Sequence, residues 1–240
     1  MASGVIVTIG NELLAGDVVN TNGSWLARRL EAIGVPVRLI AVLPDEIEVV
    51  ASFLRAYATE ADVVIVTGGL GGTPDDVTRE AVAAAFGVAQ VEFPDVAAAL
   101  RARFRRDPDY VTPWARLPEG SRPLDNPLGG APGFAIENVY VLPGLPSEME
   151  AMYEAIEQDV AGRLPAAPIR SWRRTYATTE SRIVDVLREL ESRHPAVRVG
   201  SYPSFLPQGG EVEVVLKSSD PAELAAASAW AEAALAAATS

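Results

Sequence analysis

Three short, β-branched and almost wholly apolar runs, Val5 to Ile9, Val35 to Val42 and Asp62 to Val66, constrain this chain more than any other feature. The third reads as a strand buried on both faces of a parallel sheet, the first as another buried strand and the second as a further strand. Helical patterns lie between them: Leu26, Leu30 and Ile33 in Ser24 to Ile33, then Ile47, Val50, Leu54 and Ala58. Strand and helix alternate, which predicts right-handed βαβ units and a mostly parallel sheet with helices on both faces. Hydrophobic content of 49% in 240 residues is ample for such a core.

The third run leads directly into TGGLGGTPDDVT, Thr67 to Thr78. Gly68, Gly69, Gly71 and Gly72 permit positive φ and would let a ligand approach the backbone. A helix is expected over Pro74 to Phe86, with Thr73 as N-cap, Pro74 at the first helical position and Asp75 and Asp76 in the first turn. Free amides and the positive end of the helix dipole would then face the loop, where an anion could sit. Thr73 with Asp76 is also close to a capping box, which stabilises a helix start without any ligand. Capping accounts for neither four glycines nor a second carboxylate. The loop also lies beyond the carboxyl end of a strand, where open α/β sheets bind ligands.

The pattern loosens after Gly87. Asp95 to Arg105 is expected to be helical, whereas six prolines in Asp107 to Pro132 forbid long regular elements. Order returns in a hairpin, Phe134 to Ile136 and Val139 to Leu142. A second glycine turn follows, Pro143 to Pro146, and opens a helix whose apolar face is Met149, Met152, Ile156 and Val160. Leu164 to Pro168 reads as a linker. Beyond it the order strand (Trp172 to Ala177), helix (Glu180 to Arg193), strand (Val197 to Tyr202), strand (Val212 to Leu216) and helix (Pro221 to Ala238) predicts a small ferredoxin-like α+β domain. The expected domains are 1–166 and 167–240.

Composition narrows the chemistry. Net charge is −12, which argues against a nucleic-acid or anionic-membrane surface. There is no cysteine, so thiolate metal sites and cysteine nucleophiles are excluded. No run reaches the roughly 20 apolar residues of a spanning helix, and the N-terminus has no export pattern, so a cytoplasmic location is expected. The single histidine, His194, precedes a proline at a helix end and does not suit a serine triad. The single lysine, Lys217, follows no glycine turn, which rules out a Walker loop. Phosphate would have to be held by backbone amides, arginines or a divalent metal.

Carboxylates are the remaining lead. Glu12 follows the first strand, Asp45 the second, and Asp75 and Asp76 the third, so parallel topology gathers them at one sheet edge. Such a set can hold Mg²⁺ through one or two carboxylates plus waters and substrate phosphates. Asp45 taken singly reads as a solvated loop residue, and Asn20 and Asn22 as helix caps.

IGNELLAGDVVNTNGSWLARRL, TGGLGGTPDDVTREAVAAAFG, NPLGGAPGF and VYVLPGLPSEMEAMY follow one another as they do in the CinA family of competence/damage-inducible proteins, which carry a MoaB/MogA-like molybdopterin-binding domain. The blocks run from Ile9 to Tyr153, and TESRIVDVL and VGSYP resemble that family's small second domain. The resemblance implies a three-layer α/β MoaB/MogA-like domain whose site lies where the glycine loops meet. Carried over, Asp75 and Asp76 would be metal-linked catalytic carboxylates, and Gly68, Gly69, Gly71 and Thr73 would cradle phosphate. Glu12, Asn22, Asn126, Gly129, Gly133, Gly144, Pro146 and Glu148 would line the same cleft. Gly72 stands where the family usually has proline, which puts loop stiffness in question.

Activities in the family include metal-dependent hydrolysis of ADP-ribose, and the related domain of eukaryotic FAD synthases can hydrolyse FAD. The resemblance therefore implies hydrolysis of a nucleotide pyrophosphate to AMP with a divalent metal (Mg²⁺ or a similar transition metal) by a homo-oligomer that binds a nucleotide or pterin. Adenylyl transfer to molybdopterin, or binding without turnover, are the alternatives. Longer family members continue into a domain that deamidates nicotinamide mononucleotide; its sequence does not occur in these 240 residues, and that activity is not assigned.

Overall fold

The computed structural model describes residues 3–164, 167–206 and 209–239. It divides into a large unit and a small unit formed mainly by the residues after Ala166. The expected linker at Leu164 to Pro168 falls partly on residues 165 and 166, outside the described residues.

The large unit begins with β1 (Gly4–Ile9), α1 (Asn11–Ala15), α2 (Thr21–Ala32), β2 (Val37–Leu43), α3 (Ile47–Glu60), β3 (Val63–Thr67) and α4 (Thr78–Phe86). After it come β4 (Gln90–Glu92), α5 (Pro94–Arg103), α6 (Pro108–Val111), a 3₁₀ turn at Thr112–Ala115, β5 (Arg116–Pro118) and β6 (Arg122–Leu124). The unit closes with β7 (Gly133–Ile136), β8 (Val139–Leu142) and α7 (Pro146–Gly162). The proline-rich stretch thus holds only pieces of three or four residues, because each proline removes a backbone donor.

The main sheet has the order β2-β1-β3-β8-β7-β6. Pairings from β2 through β8 are parallel, and β7 pairs antiparallel with both β8 and β6. Side chains alternate across it. Val5, Val7, Val64, Val66, Val139 and Val141 face a core closed by Val50 and Leu54 of α3, Ala81 and Val82 of α4, and Leu100 of α5. Ile6, Ile65 and Tyr140 point the other way, towards the side of buried Leu26 and Leu30 of α2 and Met149, Met152 and Tyr153 of α7. Two helical layers enclose the sheet. Between β1 and β3 the connecting helices switch faces, which opens a crevice at their carboxyl ends.

The small unit holds β9 (Arg170–Tyr176), α8 (Glu180–Arg193), β10 (Arg198–Leu206), β11 (Gly209–Ser218) and α9 (Pro221–Thr239). Its antiparallel sheet is ordered β10-β11-β9, a ferredoxin-like split βαβ without a fourth strand. Ile183 and Leu190 of α8, Val212, Val214 and Leu216 of β11, and Leu224, Ala227, Ala231 and Leu235 of α9 form its core. His194 ends α8, with Nδ1 3.2 Å from Glu223 Oε2. Among the described residues no helix is long and apolar enough to cross a membrane.

Candidate functional site

A cleft of about 410 Å³ opens at the carboxyl ends of β1, β2, β3 and β8. Its floor is made of Ile9 and Gly10, the glycine turn Gly68 to Gly71, and the second turn Pro143 to Leu145. The two turns touch, since a Cβ on Gly144 would lie 3.2 Å from the Gly68 Cα. Among the described residues five carboxylates face it, those of Glu12, Asp45, Asp75, Asp76 and Glu148, and no basic side chain lines it.

The first turn differs from its sequence-based expectation. α4 starts at Thr78, four residues later than Pro74, and Thr73 to Val77 form a loop. The cause is Asp76. Its Oδ1 accepts the Gly71 N–H at 2.7 Å, and its Oδ2 accepts the Thr73 N–H at 2.8 Å and the Thr73 hydroxyl at 2.6 Å. A side chain that bonds nearby backbone in this way competes with helix formation. The amides of Gly71 and Thr73, expected to cradle phosphate, are thereby spent on the protein's own carboxylate. α4 is sealed as well, with Thr78 N–H donating to Gly69 O at 3.2 Å and the Thr78 hydroxyl to Gly68 O at 2.8 Å.

The four glycines are filled by the protein itself. A Cβ on Gly68 would stand 2.2 Å from Ile9 O, one on Gly69 2.2 Å from Thr78 Oγ1, and one on Gly71 2.5 Å from Asp76 Oδ2. On Gly72 it would meet the Tyr110 ring at 2.8 Å. Only Gly68 and Gly69 also need their backbone angles, with φ of 109° and 66°. Glycine seats carboxylates elsewhere: a Cβ on Gly10 would fall 2.3 Å from Glu12 Oε1, and one on Gly130 2.3 Å from Glu148 Oε1.

Beneath the loop lies Arg79, 4% exposed. Its guanidinium donates to Leu70 O at 2.8 Å and to Gly71 O at 2.7 Å. Burial lowers its pKa, while Glu80 and Asp76 pull it upward. This buried cation, which sequence reasoning passed over, holds both loop carbonyls inward. Its signal was an arginine on the apolar side of α4, beside Ala81 and Val82.

The second turn is open by contrast. α7 runs 17 residues from Pro146, has no side-chain cap, and carries Glu148 in its first turn. Its first internal bond is Met149 N–H to Leu145 O, so the Ser147 and Glu148 amides precede the ladder.

The other expected residues divide into three groups. Asn22 joins α2 to both turns, its Nδ2 donating to Thr67 Oγ1 at 3.1 Å and Gly144 O at 2.8 Å, and with Pro146 it lines a smaller pocket of about 80 Å³. It is not a cap; Asn20 is, through Gly23 N–H to Asn20 Oδ1 at 2.9 Å. Asn126 lies behind the cleft and positions Glu148, donating to its Oε2 at 2.9 Å. Thr73, Gly129 and Gly133 do not line the cleft. Thr73 is folded onto Asp76, Gly129 packs under Arg103, and Gly133 sits in β7, where a Cβ would meet Val141 O at 2.3 Å.

Asp45, read from sequence as a solvated loop residue, does line the cleft and accepts the Asn11 N–H at 2.8 Å. Burial raises its pKa, and Glu12, Asp75 and Asp76 raise it further, which marks these four carboxylates as electrostatic neighbours. Asp75 is held below the usual carboxylate range by the nearby Thr73 hydroxyl and its own backbone N–H, although that hydroxyl's one proton is directed to Asp76. Among the described residues no three acidic or histidine side chains are placed to hold a metal ion. Such a donor set does not fit a protein cage. A cation held here would have to take one or two carboxylates and complete its shell with water and the substrate's phosphates.

A doubly wound sheet with a glycine-floored cleft at its switch point defines a class of small-molecule-binding α/β domain. Residues 5–162 match the family described as a probable molybdopterin binding domain, and residues 174–239 match the middle domain of FAD synthase. A CinA protein from Thermoplasma acidophilum, solved with unknown function, is 34% identical, covering 66% of this chain and 98% of that one with a TM-score of 0.62. A protein of Archaeoglobus fulgidus is 38% identical over 83% of this chain and 85% of its own length. A CinA-like protein of Frankia casuarinae is 38% identical over 91% of this chain, which spans only 54% of that relative. The chain belongs to the CinA family, and its large unit has the MoaB/MogA-like α/β fold.

Proposed function

We propose that this chain is a divalent-metal-dependent hydrolase of a nucleotide pyrophosphate, ADP-ribose or an FAD-like dinucleotide, releasing AMP. The reading rests on one juxtaposition: the exposed carboxylate of Asp75 and the uncapped start of α7 face the same cleft. Open amides at a helix start suit a phosphate, and an exposed carboxylate kept ionised by its surroundings suits a cation. The family match to molybdopterin-binding and FAD synthase domains supports a nucleotide or pterin as the ligand.

Asp75 would hold the cation, with Asp45 and Glu12 near enough to bind its waters. When bound, the cation would offset phosphate charge and polarise the phosphoryl oxygen. The chain's own part is to seat the pyrophosphate on the Ser147 and Glu148 amides and to remove a proton from water. Asp45, which lines the cleft with Glu12 and Asp75, would be the base, a role its raised proton affinity suits. Water oxygen bonds to phosphorus, the bridging P–O bond breaks, and the leaving phosphate carries the electron pair. With five carboxylates and no basic side chain on the cleft, a polyanion enters only with a cation, so a chelator should abolish turnover.

The test is AMP release from ADP-ribose, FAD or NAD with Mg²⁺, Mn²⁺ or Co²⁺. Asp75→Asn should lower the rate by about 10²-fold or more while leaving the fold intact. If no pairing of dinucleotide and metal yields AMP, the reading is wrong. Binding without turnover is the second reading, favoured by the commitment of both Asp76 oxygens to the loop; in that case Asp75→Asn would tighten anion binding.

A further inference from the structure

Gly72 is a glycine that its own backbone does not require. Its φ lies outside the left-handed region occupied by Gly68 and Gly69, so alanine could adopt the same angles. What excludes a side chain is Tyr110: a Cβ would lie 2.8 Å from Cε2, 2.9 Å from Cζ and 3.1 Å from the hydroxyl. Yet Tyr110 is 52% exposed, on the short helix α6. Its ring also meets Trp114 edge-on at 5.7 Å, and Trp114 lines the cleft and meets Phe104 edge-on at 5.5 Å. A half-exposed ring, just outside the cleft lining, is thus packed between the glycine loop and an aromatic of the cleft wall. It needs no burial of its own to explain that position.

Resting on the pyrophosphate reading, we propose that Tyr110 is the stacking platform for the planar base of a nucleotide whose phosphates occupy the cleft. Gly72 stays free of a side chain so that the ring can lie against the glycine loop that carries Asp75. A half-exposed aromatic ring offers a base a π-surface without reading its hydrogen-bonding edge, so adenine, flavin and pterin rings are all of the right class. Two χ angles braced on two sides keep the ordering cost low.

The experiment compares AMP with ribose 5-phosphate, which has the same phosphate and no base, by calorimetric titration of the full chain with Mg²⁺. The wild type should bind AMP more tightly. Tyr110→Ala should weaken AMP about ten-fold or more and leave ribose 5-phosphate within about two-fold. Tyr110→Phe should keep AMP within about two-fold. Gly72→Ala should displace the ring and weaken AMP, with no further loss in the Tyr110→Ala background. Equal wild-type affinity for the two probes, or equal losses of both in Tyr110→Ala, overturns the platform while leaving the pyrophosphate reading intact. Base-dependent AMP binding without turnover keeps the platform and removes the hydrolase. If neither probe nor inorganic pyrophosphate binds, both fail.

Discussion

The two glycine turns share one layout, strand, glycine turn, helix, and fold differently. After β3 the chain takes ten residues to reach α4, and after β8 only three to reach α7. The first turn contains a carboxylate of its own, and Asp76 takes the amides of Gly71 and Thr73 before any ligand could. The second contains none, and α7 starts uncapped. A glycine-rich turn is therefore not sufficient to mark an anion cradle; what matters is whether the sequence supplies its own anion. On this view the first turn is a rigid wall that carries Asp75, and the second is the seat.

The largest expected contrast is in glycine replacement. Gly68→Ala forces a Cβ against Ile9 O at a φ of 109° and should cost about 3 kcal/mol or more. Gly144→Ala meets only the Gly68 Cα at 3.2 Å, at ordinary φ, and should cost about 1 kcal/mol. Urea unfolding of the two variants checks the order, and equal losses would erase the distinction between wall and seat. Next comes Asp76→Ala, which leaves two loop amides unpaired in a partly exposed place and should cost about 1–2 kcal/mol. Exposed Asp75→Ala should leave the stability almost unchanged. Similar costs for the pair would mean that Asp76 does not clamp the loop.

The smallest effect concerns Asp45. Its folded pKa is raised, so the protonated form is favoured by folding and the cost of the carboxylate appears as pH rises through that pKa. Asp45→Asn should therefore stabilise at pH 7 by less than about 1 kcal/mol after solvent screening, with no gain below the ordinary aspartate range near about 3.9. Thermal unfolding at both pH values reads it; a variant less stable at neutral pH would mean that the Asn11 bond outweighs the crowding.

The parallel core is legible in the sequence because strands buried on both faces must be apolar throughout, as Val63–Thr67 nearly is. The hairpin of β7 and β8 and the apolar face of α7 are legible for similar reasons, since periodicity reports burial directly. The start of α4 is not. Thr73, Pro74 and Asp76 satisfy the local pattern of a helix start, and the same side chain folds the loop instead when Gly71 lies within its reach. Asp45 looks solvated in one dimension because its partners Glu12 and Asp75 are brought close only by the β2-β1-β3 order. Tyr110 and Trp114 are hidden for a further reason: a proline-rich segment shows no period from which a facing direction can be read.

Phosphate binding at the start of α7 carries the proposed function. A crystal structure of the chain with ADP-ribose and Mg²⁺ tests it most directly. Pyrophosphate oxygens are expected within hydrogen-bonding distance of the Ser147 and Glu148 amides, with Asp76 still holding Gly71 and Thr73. Pyrophosphate on the Gly71 and Thr73 amides, with Asp76 swung away, would contradict it.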